Sequence, residues 1–252
     1  MRHSSMPDAT GEVVVISDAT SSLGRALGLA LARRGAQVVA LAHMPAELAE
    51  DGLPSLVADV RDPASVAQVF DEIRAWFGAP TILINNAEIH PDRDILEETP
   101  DSFMDTLRIN LGGAFNCCHA ALPSMVAAGS GRIVNVVTFA DIRPAPLSAG
   151  YSVSKGALRI LTRALVADLG DRFPGIVVTD WIPGTHAPRR GVVDVIDPAL
   201  AAEWGATLAL MKSPELNGRL FLRDREHVPP QSLRGRVKDR VLGKGRRRVR
   251  LG

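Results

Sequence analysis

Tyr151 and Lys155 are the residues whose types and spacing best suit acid/base chemistry. Tyr151 is the only tyrosine among 252 residues, and Lys155 follows it by four positions. On a helix both side chains lie on one face, which brings the ammonium close to the phenol. A nearby cation lowers a phenol pKa that is normally about 10, so the tyrosine can exchange a proton near neutrality. Thr138, thirteen residues earlier, offers a hydroxyl that could orient a substrate carbonyl.

The elements that would position this pair follow from hydrophobic periodicity. Helical patterns cover residues 62–77 and 151–170, with apolar residues about 3.6 apart. Short β-rich runs alternate with the helical patterns, and they occur at 12–17, 37–42, 55–58, 81–85, 132–137, 176–182 and 219–223. This alternation predicts an α/β fold, a doubly wound parallel sheet with helices on both faces and a ligand crevice at the carboxyl ends of its strands.

The crevice would collect four loops that follow different strands. Their sequences are "SDATSSLG" at 17–24, "NNAE" at 85–88, the loop from 138 to 155 and "PGTHAPRR" at 183–190. Residues that are distant in the sequence therefore converge on one edge of the sheet.

Composition and charge limit the function classes. The chain has no apolar run long enough to span a membrane and no signal-peptide pattern at its start, which favours a cytoplasmic protein without membrane contact. Cys117 and Cys118 are adjacent and suit neither a disulfide nor a metal site, so we expect reduced packing residues and no metal. Residues 234–250 carry nine basic side chains and one acid, but no aromatic residues for base stacking, so nucleic acid is an improbable partner.

Five motifs together resemble the short-chain dehydrogenases/reductases over residues 12–225. They are "YSVSK" with Thr138 upstream, "NNA", "RINLGGAF", "ADVRD" and "PG" at 183–184. The resemblance implies a single Rossmann-type domain at 12–225, between a flexible N-terminus at 1–11 and a basic C-terminal tail at 226–252. It also implies that Tyr151 is the catalytic acid/base, that Lys155 assists it and binds the nicotinamide ribose, and that Asn110 holds a relay water. Thr138 occupies the position of the family's catalytic serine.

The resemblance also implies a nicotinamide cofactor, although its phosphate-binding turn departs from the family pattern. Of the family's three glycines, only Gly24 remains, with Asp18 and Ser22 at the other two positions. The cofactor-binding set carried over is Ser17, Asp18, Ser22, Leu23, Gly24, His43, Asp59, Val60, Asn86, Ala87, Lys155, Pro183 and Gly184.

Asp18 is the critical departure in that turn. Aspartate tolerates positive φ better than most residues, so the turn can persist. Its carboxylate repels phosphates unless it points away or caps the helix amides itself.

Glu88 is a second departure, because the family has glycine there. It could rotate to solvent or contact substrate, and the candidate substrate residues are Glu88, Arg143 and His186. Basic residues in the loops hint at an anionic or carrier-bound substrate, although loops are normally polar.

Cofactor type depends on the end of the second strand, which has Ala42 and His43 where an acid would select NAD. NADP(H) is therefore favoured over NAD(H), with His43, Arg25 or Arg61 as candidates for the 2′-phosphate.

Three functions are compatible with these residues. The first is an NADP(H)-dependent oxidoreductase that interconverts a small-molecule ketone and alcohol. The second is a non-redox proton-transfer enzyme on the same scaffold, catalysing dehydration, isomerisation or cyclisation with weak or no nucleotide binding. The third, a catalytically silent partner, is disfavoured by the complete set of Tyr151, Lys155 and Asn110. The resemblance implies a homo-oligomer, either a dimer or a tetramer.

Overall fold

A computed structural model describes residues 7–45, 52–184, 195–228 and 248–251. In these ranges, all seven predicted strands are present, with each end within one residue of the prediction. The strands are β1 (Val13–Ser17), β2 (Gln37–Ala42), β3 (Ser55–Val57), β4 (Ile82–Asn85), β5 (Gly131–Val136), β6 (Ile176–Ile182), β7 (Leu220–Leu222) and a short further strand, β8 (Arg225–Glu226). The helices are α1 (Ser22–Ala32), α2 (Pro63–Trp76), α3 (Pro100–Leu107), α4 (Ala114–Ala128), α5 (Ala149–Leu169) and α6 (Pro198–Leu210).

The strands form one sheet in the order β3-β2-β1-β4-β5-β6-β7-β8. Strands β1 to β7 pair in parallel, and only β8 runs antiparallel, beside β7. The chain reverses its direction of winding between β1 and β4, which is where a doubly wound sheet opens a crevice at its carboxyl edge. The predicted fold class is confirmed, and the antiparallel strand is an addition to it.

Alternating side chains of β1 explain how the sheet is covered on both faces. Val14 and Ile16 point into a core shared with α1 and α6, while Val13 and Val15 point into a second core with α2 and α4. Every residue of β1 is buried, as expected for a central parallel strand. The strand is therefore fixed in register, and its carboxyl end delivers the turn after Ser17 to the crevice.

The C-terminal residues return to the sheet. The Glu226 N–H donates to the Val249 carbonyl at 2.9 Å, and the Leu251 N–H donates to the Asp224 carbonyl at 2.7 Å. Leu251 is buried in the core beside α1 and α6. A tail that begins at 226 does not fit these contacts, because Glu226 lies in β8 and the chain end packs with the domain. Most of the basic segment, 229–247, lies outside the described residues, as do residues 1–6 of the predicted N-terminus.

Cys117 and Cys118 lie buried on α4 with free thiols, as predicted. Burial raises the pKa of Cys118 to about 12, so this thiol stays protonated and unreactive. No helix in the described ranges is both long and apolar enough to cross a bilayer.

Candidate active site

The first two turns of α5 supply the predicted acid/base pair. Tyr151 and Lys155 lie one turn apart, with the Lys155 Nζ 5.8 Å from the centre of the phenol ring. The lysine side chain is almost fully buried, and its ammonium donates to the Val136 carbonyl at the end of β5 at 2.8 Å. The helix and the neighbouring strand therefore fix the ammonium beside the tyrosine, as the spacing predicts.

Glu88 contacts both members of this pair, and no sequence pattern predicts that contact. Its Oε2 lies 2.6 Å from the Lys155 Nζ and accepts a hydrogen bond from the Tyr151 hydroxyl at 3.3 Å. Burial of the carboxylate raises its pKa, but the Lys155 ammonium, with smaller contributions from Tyr151 and His90, outweighs that effect and holds the pKa below the usual value. Glu88 is therefore an anion that neutralises the cation beside the tyrosine.

The His90 ring packs against one face of the Tyr151 ring. The imidazole and phenol rings stack with centroids 3.8 Å apart and planes 3° from parallel. The His90 Nε2 also lies 3.8 Å from a carboxylate oxygen of Asp92. Two residues of the loop after β4 thus hold the phenol, Glu88 at its hydroxyl and His90 on its face.

Asn110 is buried and holds that loop in place from a π-helical turn, Arg108–Gly113, between α3 and α4. Its Oδ1 accepts from the Ile89 N–H at 2.7 Å, and its Nδ2 donates to the Ile89 carbonyl at 2.9 Å and to the Ser154 hydroxyl at 3.0 Å. The π turn is a feature that often occurs at functional sites. Asn110 thereby joins the Glu88 loop to α5.

Thr138 lies two residues beyond β5, at the same edge as the Val136 carbonyl that holds Lys155. Its hydroxyl accepts from the Ala140 N–H at 3.4 Å. The loop after β5, which contains Thr138, continues to the start of α5. Thr138 and Tyr151 therefore lie at opposite ends of one loop of the crevice.

The turn after β1 has Asp18 where the family pattern has its first glycine. Asp18 adopts φ 51°, the left-handed region in which glycine is normally preferred, and this bears out the expectation that aspartate tolerates the position. The Asp18 carbonyl accepts from the Asn86 Nδ2 at 3.0 Å and from the Ser21 hydroxyl at 2.9 Å. A Cβ on Gly24 would lie 2.4 Å from that carbonyl, which explains why this glycine remains.

The Asp18 carboxylate does not cap the helix. Ser21 is the N-cap of α1, and its hydroxyl accepts from the Gly24 N–H at 3.2 Å, whereas the Asp18 Oδ1 accepts from the Thr20 hydroxyl at 2.8 Å. Desolvation raises the Asp18 pKa against the lowering effects of Thr20 and His43, and the nearby Glu88 raises it further. Of the two alternatives for the Asp18 carboxylate, the one in which it caps the helix amides is therefore wrong.

Ser17 connects the turn to the segment that follows β4 by hydrogen bonds. The Ser17 hydroxyl accepts from the backbone N–H groups of Asn86 and Ala87 at 3.0 and 2.9 Å. Ser22 and Leu23 begin α1. These contacts place the predicted turn and pocket-floor residues together.

The residues predicted to bind the adenosine part of the cofactor lie at the end of β2 and in the segment after β3. Arg61 donates to the Asp59 carboxylate from the Nε and Nη2 edge of its guanidinium, at 2.7 Å from Nη2 to Oδ2, and the Asp59 pKa is lowered chiefly by that contact. His43 is exposed at the end of β2, and its charge influences both Asp59 and Asp18. Val60 packs against Gly113, where a Cβ would lie 2.7 Å from the valine side chain.

The remaining predicted residues are more scattered. Pro183 and Gly184 follow β6 at the same edge, with Gly184 at φ 105°. Arg143 is exposed in the loop after Thr138. His186 lies outside the described residues. Within the described part of the chain, no group of three or more His, Cys, Asp or Glu residues is arranged to hold a metal ion.

Comparison with known proteins places these features in a family context. A model of the short chain dehydrogenase family matches residues 12–189. A short-chain type dehydrogenase/reductase from Picea abies is 33% identical over 195 residues, which cover 68% of this chain and 72% of that protein. The 3-oxoacyl-[acyl-carrier-protein] reductase FabG of Escherichia coli K12 is 30% identical over 180 residues, 69% of this chain and 73% of that protein.

A solved structure has the same fold. It is a gluconate 5-dehydrogenase from Burkholderia cenocepacia in complex with NADP and tartrate, superposing with a TM-score of 0.76 at 27% identity over 85% of this chain and 94% of that chain.

Proposed function

The chain belongs to the short-chain dehydrogenase family, and on that premise we propose that it is an NADP(H)-dependent oxidoreductase that interconverts a ketone and an alcohol on a small molecule. The observation that carries this proposal is the fixed Tyr151 and Lys155 pair at the same sheet edge as the turn from Ser17 to Gly24. An acid/base group and an anion-binding turn at one edge are the two parts that hydride transfer to a carbonyl requires.

The backbone of the turn fits the phosphates of a dinucleotide, whereas the Asp18 carboxylate opposes them. The backbone is already in the required conformation at Asp18, and Gly24 leaves no side chain in the way of the turn. The first turn of α1 carries no acidic residue, so its N-terminus keeps a field that favours anions. Lys155 fits a ribose hydroxyl on condition that Glu88 moves. The residues we expect to hold the cofactor are Ser17, Asp18, Ser22, Leu23, Gly24, His43, Asp59, Val60, Asn86, Ala87, Lys155, Pro183 and Gly184.

The chain's own residues supply the proton chemistry, while the bound cofactor supplies or accepts a hydride. Tyr151 gives its hydroxyl proton to the carbonyl oxygen during reduction and takes it back during oxidation. The Thr138 hydroxyl steadies the charge on that oxygen. The Asn110 side-chain amide forms hydrogen bonds with the Ile89 backbone and the Ser154 hydroxyl. One lone pair of its Oδ1 is left to accept from the relay water that the family resemblance implies.

The preference for NADP(H) is supported by what lies at the end of β2. Ala42 and His43 stand where a carboxylate would bind the ribose 2′-hydroxyl, so nothing on β2 repels a 2′-phosphate. Arg61 already pairs with Asp59, which makes the exposed His43 the stronger candidate. The NADP complex of the Burkholderia gluconate dehydrogenase, a related protein, points in the same direction.

The substrate we favour has an uncharged reacting end and an apolar body. The Glu88 carboxylate beside Tyr151 would repel an anion at the reacting carbon. The loops after β4 and β5, joined by the Arg93 N–H to the Leu147 carbonyl at 3.1 Å, expose a group of large apolar side chains. These are Ile89, Ile95, Leu96, Ile142 and Leu147. An anionic or carrier-bound end would lie toward Arg143, outside the reacting centre.

Assembly and location are proposed on the same basis. α3, α4 and α5 expose Met104, Phe115, Val153 and Ile160, apolar side chains that a second copy of the chain would cover in a dimer or tetramer. Buried free thiols and the family relationship favour the cytoplasm.

Titration of the purified protein with NADPH and NADH, followed by calorimetry and nicotinamide fluorescence, tests the function directly. We expect micromolar binding of NADPH and weaker binding of NADH. Failure of a folded sample to bind either at millimolar concentration would contradict the oxidoreductase proposal.

A second function is favoured by one observation, the contact of Glu88 with both Tyr151 and Lys155. A carboxylate that contacts both a phenol and an ammonium forms with them an acid/base site that needs no cofactor. Such a site suits dehydration, isomerisation or cyclisation. Turnover of a candidate substrate without any added nucleotide would support this function over the first.

A further inference from the structure

The contact between Glu88 and Lys155 has no part in hydride transfer and bears directly on cofactor binding. We propose that Glu88 is an internal competitor for the cofactor: its carboxylate holds the ammonium that the nicotinamide ribose requires and must leave Lys155 before the cofactor binds. This inference rests on the proposed oxidoreductase function and identifies the residue that sets its cofactor affinity.

Lys155 has little freedom to bind Glu88 and a ribose hydroxyl at the same time. Its side chain is 1% exposed, and two of its three N–H donors are directed at the Val136 carbonyl and at Glu88, at 2.8 and 2.6 Å. The strand carbonyl and the surrounding helix keep the ammonium where it is. An incoming ribose hydroxyl therefore meets a cation whose exposed side is already bound by a carboxylate.

Glu88 is the partner that can move. Its side chain is 36% exposed, and it lies on a loop rather than in a helix or strand. The next residue, Ile89, is held at both its N–H and its carbonyl by Asn110. The backbone of the loop is thereby fixed, so release of Lys155 requires only rotation of the Glu88 side chain toward solvent.

The charges around Glu88 define the competition. Lys155, Tyr151 and His90 face the carboxylate and stabilise its anionic form, while Asp18 on the phosphate-binding turn opposes it. A dinucleotide would bring two phosphates toward Asp18 and would separate Glu88 from its counter-ion. Both changes favour protonation of the carboxylates, so cofactor binding should take up protons and strengthen as pH falls.

The test compares the wild-type chain with Glu88→Gln, which removes the charge at constant size, and with Glu88→Ala, which removes the hydrogen-bonding group as well. Glu97→Gln is the matched control, because Glu97 is an exposed glutamate on the same loop. Calorimetric titration with NADPH near neutral pH should give about tenfold or greater tightening for both Glu88 variants. The Glu97→Gln affinity should stay within about twofold of wild type, on the scale of small surface effects.

A second readout needs no cofactor. Tyr151 is the only tyrosine, so the ultraviolet absorbance change on tyrosinate formation reports this residue alone. Removal of a negative charge 3.3 Å from its hydroxyl should move the titration midpoint of Glu88→Gln down by about one pH unit or more. The control variant should titrate as the wild type does.

The outcomes separate the competition from the function on which it rests. Equal NADPH affinity in the wild type and both Glu88 variants would overturn the competition and leave the oxidoreductase function standing, and weaker binding by the variants would do the same. No binding by any variant, in samples whose thermal melts show a folded protein, would overturn both. Tight binding confined to the Glu88 variants would support the competition most directly.

Discussion

The Asp18 carboxylate should weaken cofactor binding, and Asp18→Asn isolates that effect. Asparagine also tolerates the observed φ of 51° and can accept the Thr20 hydroxyl, so the turn should keep its shape. For two unit charges separated by about 6 Å, the repulsion is about 0.7 kcal/mol at the dielectric constant of water and about 3 kcal/mol at an effective value near 20. Because Asp18 is half-buried, we expect the variant to bind NADPH between about 3-fold and 100-fold more tightly.

Calorimetric titration of wild type and Asp18→Asn at two salt concentrations measures this difference. The gain should shrink at higher ionic strength, since salt screens a partly exposed repulsion. Asp18→Gly should gain at least as much, because glycine also relieves the remaining cost of positive φ. Unchanged or weaker binding by Asp18→Asn would refute the reasoning and would show that the carboxylate faces away from the phosphates.

Two further predictions concern the proton chemistry and the buried core. Tyr151→Phe should abolish turnover in steady-state assays, while its NADPH affinity stays within about twofold, because only the hydroxyl is lost; undiminished turnover would remove Tyr151 from the mechanism. Burial raises the pKa of Asp180 to about 7, and its partner there is the Thr162 hydroxyl at 2.5 Å. The folded chain therefore holds a proton that the unfolded chain loses near pH 4, so this group makes stability fall between about pH 4 and 7. Asp180→Asn should flatten that fall and raise the free energy of unfolding by up to about 4 kcal/mol at pH 8, measured in urea; a less stable variant at pH 8 would contradict this.

Patterns that depend on local sequence were predictable. The buried run of β1 and the periodicity of α5 reflect burial and helical geometry over a few residues, so the sequence predicts both the elements and their ends. The left-handed conformation of Asp18 is local in the same sense. The positions of Tyr151 and Lys155 follow from helical spacing alone.

Contacts between distant segments were not predictable from one sequence. Glu88 and Lys155 are 67 positions apart, and their ion pair depends on the side-chain conformation of one exposed glutamate. The π turn around Asn110 ends in Gly112 and Gly113, but two adjacent glycines do not by themselves specify a π turn. The return of Leu251 to the core requires that the chain after β8 come back to the sheet, which nothing in a run of basic residues specifies.

The two candidate functions differ in what neutralises Lys155. In the free chain Glu88 neutralises the ammonium completely, and the tyrosine, carboxylate and lysine form a self-contained site. In a chain carrying a dinucleotide, ribose hydroxyls are uncharged and leave the ammonium as a full cation beside Tyr151, which favours the phenolate. Cofactor binding would therefore activate the tyrosine by removing its nearest anion as well as by supplying hydride. The same carboxylate that weakens cofactor binding would then keep Tyr151 protonated until the cofactor arrives, and this links the two functions through a single side chain.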